Sequence, residues 1–143
     1  MWSTWAHEEF SRAFLGHQDR TDRLVLMAQP MGQRPAGTLP QVFRCPAECQ
    51  GAYDWIENEE VAWRDVAQAR HEACARRCKP FPWVIAIADG SSFRLPDPRK
   101  KRGTGPIGAR SKGARGLQTM VLAVLTPQGE VLGIGAHELW ARS

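Results

Sequence analysis

Nowhere in the sequence do about eighteen consecutive apolar residues occur, the length a membrane-spanning helix requires. A basic stretch followed by an apolar N-terminal run is also missing, so no secretory signal is expected. Both absences point to a cytoplasmic protein with no membrane partner. No internal repeat is visible, which leaves out solenoid and propeller architectures. Acid is scarce in one segment: between Arg94 and Arg115 only Asp97 opposes eight bases, Arg94, Arg99, Lys100, Lys101, Arg102, Arg110, Lys112 and Arg115.

What is present suits a folded domain. The 143 residues are 43% hydrophobic, enough for a real core rather than a disordered tail. Lysine and arginine total 19 against 15 acids, a net charge of +4, and this balance favours a polyanionic partner. The basic segment also carries Gly103, Gly105, Pro106, Gly108, Gly113 and Gly116, so it reads as a loop. Such a backbone bearing dense positive charge is suited to following phosphates, although a solvated basic loop is the simpler alternative.

Apolar spacing predicts helices first and strands second. Trp2, Trp5, Ala6, Phe10, Ala13 and Phe14 recur at helical spacing and predict a first helix ending near Gly16, with its aromatics in the core. A second helix is predicted over Arg20 to Ala28, capped by Asp19, with Arg20 and Arg23 facing outward. After a loop punctuated by prolines and glycines, a third is predicted over Val42 to Glu57, starting near Pro40 or restarting at Pro46. A fourth runs from about Val61 to Cys78 and stops at Pro80 and Pro82. From Trp83 to Ala88 a nearly continuous apolar run predicts a strand buried on both faces, ending at Asp89-Gly90. Leu117 to Leu125 and Val131 to Arg142 then predict two strands joined by a turn over Thr126 to Glu130.

Several strings together resemble one family, the bacterial insertion-sequence transposases with a DDE triad on a ribonuclease-H-like core. Leu15-Gly16-His17-Gln18-Asp19-Arg20-Thr21-Asp22-Arg23-Leu24 is similar to the family's N-terminal LGD.RRT.RL segment, and Gly51 to Asn58 to its GAYRFF.N segment. Ile85 to Phe93 resembles the strand that carries the first catalytic aspartate, with Asp89 at the matching position. Gly105-Pro106-Ile107-Gly108, Arg115-Gly116-Leu117, Thr126-Pro127, Gly129 and Trp140-Ala141-Arg142 resemble the stretch that follows. The sequence departs from the pattern in Asp89-Gly90-Ser91, where Asp-Thr-Thr is usual, and at Met120, where a histidine is usual.

The resemblance implies an α+β chain: a helical DNA-binding region over 1–80, then the first three strands of an incomplete ribonuclease-H-like core over 81–143. It implies Asp89 as catalytic residue and Mg2+ ligand, with the family's second aspartate and its glutamate beyond Ser143. Two-metal phosphoryl transfer needs several converging carboxylates, so the chain is expected to be inactive alone and to hold no functional Mg2+. By spacing alone an Asp after a strand is a turn residue or a cap. Phosphate contacts are assigned to Arg20, Arg23, Lys100, Lys101, Arg102, Arg110, Lys112 and Arg115.

Cys45 with Cys49 and Cys74 with Cys78 form two CxxxC pairs, with His71 on the face of the second. Free thiols rank ahead of a zinc site, and disulfides come last for a cytosolic protein. His71 resembles a family position, which favours packing or capping over ligation. The leading reading is thus the N-terminal fragment of a DDE transposase that binds transposon-end DNA. A non-enzymatic DNA-binding or regulatory protein derived from such a fragment, able to assemble with full-length transposase or with itself, is the alternative. A zinc-stapled helical interaction module is a third.

Overall fold

The computed structural model describes residues 4–95, 97, 103–108 and 113–143. Five helices precede four strands among them, and the chain divides into two compact units, Met1–Ala73 and Cys74–Ser143.

In the first unit, α1 spans Trp5–Phe10 and begins where Thr4 Oγ1 accepts the His7 N–H at 3.3 Å. It is shorter than the aromatic spacing predicts. The Ala13 N–H bonds back to the Phe10 carbonyl, so the helical register is lost before Phe14, which is 86% exposed. Leu15 takes its place in the core, and Trp5 also stays largely outside. α2 spans Gln18–Gln33. His17 rather than Asp19 caps it, its Nδ1 accepting the Asp19 N–H at 3.2 Å. The helix continues past Ala28 and through Pro30, which has no N–H for the preceding turn and therefore removes one helical bond without ending the helix.

α3 is a single turn, Leu39–Val42, and α4 covers Pro46–Ile56 with Pro46 at its first position, where a missing N–H costs nothing. The restart at Pro46 is one of the two starts the sequence allows. α5 spans Trp63–Cys78. Two apolar clusters hold these helices. One gathers Ala6, Phe10, Ala13, Leu15, Leu24, Ala28 and Ala69; the other gathers Met27, Phe43 and Ala52; Trp55 packs against both.

The second unit is an antiparallel sheet. β1 (Ile85–Arg94), β2 (Gly105–Pro106), β3 (Arg115–Leu125) and β4 (Val131–Trp140) are arranged with β3 in the centre. β1 lines one side of β3, while β2 and β4 follow each other along the other side. The turn over Thr126 to Glu130 forms as the sequence predicts: the Thr126 N–H reaches the Glu130 carbonyl at 2.8 Å, and Gly129 has a positive φ of 90°. Cys74 and Arg77, at the end of α5, lie against Gly133 of β4, and Arg77 Nε donates to the Leu132 carbonyl.

β1 corrects two expectations. All ten of its residues are exposed, so it is not a strand buried on both faces. An apolar run records the chance of burial, but a covering layer must exist, and β1 is the sheet's outer strand. Nor does it stop at Asp89-Gly90. The ladder with β3 runs without a break from Ile85 opposite Leu125 to Arg94 opposite Gly116, because β3 is long enough to pair every residue.

Candidate nucleic-acid interface

Arg20 is predicted to face outward, and the structure instead commits it to internal partners. Its Nη1 donates to the Leu15 carbonyl at 3.1 Å, and its Nη2 pairs with Glu60. Its own carbonyl accepts Trp55 Nε1–H at 2.9 Å. One residue therefore ties the start of α2 to α4 and to the Glu60 turn, with only a quarter of its side chain exposed. Thr21 completes this knot: it is buried, and its hydroxyl donates to the Ala13 carbonyl at 2.8 Å. The motif residues Arg20, Thr21 and Trp55 thus have a structural reason to occur together.

Arg23 is half-buried as well, lying across α4 at Gly51, where an added Cβ would run into its guanidinium. Unlike Arg20, it has no hydrogen bond or ion pair among the described residues. It borders a cavity of about 170 Å³ that Leu26, Met27, Phe43 and Glu48 also line. A guanidinium left with unused donors beside an apolar recess can meet a phosphate or a base edge.

Of the basic segment, Arg99, Lys100, Lys101, Arg102, Arg110 and Lys112 lie outside the described residues, and Arg94 and Arg115 within them. Arg115 also has internal partners. It donates through Nε to Thr104 Oγ1 at 3.3 Å and through Nη2 to the Thr104 carbonyl. Thr104 in turn donates to the Oδ2 of Asp97 at 2.7 Å, and both residues are buried. The one acid of the basic segment is therefore an anchor: Asp97, Thr104 and Arg115 staple the two ends of the segment together. On sequence alone Arg115 counts as a phosphate contact and Asp97 has no role. The sign that marked the staple was an acid alone among bases.

Asp89 stands mid-strand and exposed, opposite Val121, which is opposite His137 on β4. His137 Nε2 lies 2.9 Å from Thr119 Oγ1. Among the described residues no group of three or more His, Cys, Asp or Glu side chains could hold a metal ion. Asp89 alone does not fit a two-metal Mg2+ centre, which needs several carboxylates, and no catalytic step follows from it. The four cysteines are unbridged; Cys45 is exposed and Cys74 buried.

Residues 2–61 match the family model of the transposase DNA-binding domain. The match supports a transposase whose DNA-binding segment lies at the N-terminus. It takes in α1 to α4 and the Arg20–Glu60 pair. No curated protein matches the chain. No helix among the described residues is long and apolar enough to cross a membrane.

Proposed function

We propose that the chain is the N-terminal part of a DDE transposase and that it binds transposon-end duplex DNA without cleaving it. The match of residues 2–61 to the transposase DNA-binding family carries this reading. Within that segment Arg23 makes no hydrogen bond or ion pair among the described residues, while Arg20 positions the helix that presents it. The basic stretch from Arg99 to Lys112 supplies sequence-independent attraction to the phosphate backbone.

Three long antiparallel strands, the first carrying Asp89, support a ribonuclease-H-like core as their origin. In this reading Asp89 is the first carboxylate of a DDE centre whose partners are not gathered around it, so Mg2+ belongs to the complete enzyme. The reading is tested by titrating the full chain against a duplex of the flanking element's end sequence and against random duplex of equal length. Tighter binding to the end sequence is expected. Equal binding to both would remove end recognition, and no binding at low salt would remove the reading altogether.

A further inference from the structure

Gly51 stands in the interior of α4, where glycine weakens a helix more than any residue but proline. Its φ is not positive, so the backbone does not require it. The reason lies across the seam with α2. Trp55, one turn further along α4, gives its indole N–H to the Arg20 carbonyl at 2.9 Å. Gly51 lies one turn before Trp55, and Arg23 one turn after Arg20, so Gly51 and Arg23 meet at the next step of the same seam.

The Arg23 guanidinium fills the place that a side chain at Gly51 would take. The heavy atoms nearest to an added Cβ are Nη2, Cζ and Nε of Arg23; Cζ would stand at 2.8 Å and Nη2 closer still, and no backbone atom of α2 is among them. The notch therefore does not serve the close approach of two helices. It receives one planar side-chain group, which also borders the cavity of about 170 Å³ lined by Leu26, Met27, Phe43 and Glu48.

We propose that Gly51 is a positioning residue: it seats the Arg23 guanidinium against α4 and so fixes the direction in which its donors meet duplex DNA. This rests on the reading of residues 2–61 as a DNA-binding segment. Neutralising a phosphate needs only a charge within reach. A loose arginine would serve for that, leaving α4 free to use a better helix former than glycine. Hydrogen bonds to base edges need the planar fork held in one orientation. Gly51→Ala would push the fork out of its seat at little cost to the fold, because the far end of a flexible side chain can swing away.

Titration of the full chain and of its Gly51→Ala, Arg23→Ala and doubly substituted variants with end-sequence and random duplexes tests the proposal, with thermal unfolding of each alongside. Gly51→Ala should melt at or above the native temperature, since it supplies a better helix former. Its preference for the end sequence should fall roughly three- to tenfold, as expected when one charged contact to a base is weakened. In the Arg23→Ala background the same substitution should change that preference by less than about twofold, because the group it displaces is gone.

Arg23→Lys is a further variant that leaves the notch alone. It keeps the charge without the fork, so it should lose a similar preference while the salt slope stays at its native value. A native preference that Gly51→Ala or Arg23→Lys leaves intact, an equal loss from Gly51→Ala with and without Arg23, or a Gly51→Ala chain that melts well below the native would overturn the proposal. A native chain that binds both duplexes equally would overturn it together with the reading it rests on, and that result is seen before any variant is made.

Discussion

Replacing Thr21 with valine keeps the shape of a side chain that is 2% exposed and deletes one hydroxyl. That hydroxyl donates to the Ala13 carbonyl at 2.8 Å and holds the segment after α1 against α2. The variant leaves a buried carbonyl without its donor, at a cost of about 2 kcal/mol within a usual range of about 1–3. For a unit of this size about 1 kcal/mol corresponds to roughly 4–8 °C, so the helical signal should melt about 12 °C lower. Thr21→Ser supplies the control. It keeps the donor and loses one buried methyl, costing about 1 kcal/mol. Far-UV circular dichroism melts of the three proteins therefore should fall in the order native, Ser, Val. A valine variant as stable as the native chain, with the serine variant the worse of the two, would show that packing and not the hydrogen bond holds this corner.

Other expectations follow from the same structure. Gly116→Ala places a Cβ against the Phe93 backbone carbonyl, which cannot swing aside as a flexible side chain would, so the β1–β3 ladder should loosen with a loss beyond about 1–3 kcal/mol, measured by chemical unfolding. With Mg2+ or Mn2+ the chain alone should neither nick nor join duplex DNA; cleavage that Asp89→Ala abolishes would contradict this. Thiol labelling of the native chain should begin at exposed Cys45 and reach buried Cys74 last, and protein purified under reducing conditions should carry less than one equivalent of zinc. Stoichiometric zinc whose chelation unfolds the helices would contradict the second part.

The order of elements was legible because periodicity changes from helical to extended near Trp83, and no tertiary information is needed to see that. The turn over Thr126 to Glu130 was legible for a similar reason, since proline and glycine act locally. What escaped depended on residues distant in sequence. The apolar run at Ile85 reads as buried, yet burial requires a layer over it, and among the described residues none covers β1. β2 is two residues long and exists only through its pairing with Arg115 and Gly116, too short for any period to show.

The candidate site divides along the same line. Charge density marked the basic segment directly from sequence, but charge does not say which cations are already engaged. Arg20 and Arg115 read as free and prove to be held, by Glu60 and Leu15 in one case and by Thr104 in the other. Arg23, three residues from Arg20 on the same helix, makes no such bond among the described residues. Side chains of identical type were separated only by which carbonyls and carboxylates the tertiary structure brought to them.

The salt dependence of duplex binding tests the central claim most directly. Native chain and a Lys100→Ala, Lys101→Ala, Arg102→Ala variant would be titrated with end-sequence and random duplexes across a range of salt concentrations. The account predicts weaker binding of the variant to both duplexes and a salt slope lower by up to about 0.9 for each phosphate that the variant no longer neutralises. Retained preference for the end sequence would place that preference in the helical segment. A native chain that fails to bind at low salt, or a variant with unchanged affinity and slope, would contradict the assignment of this segment to DNA.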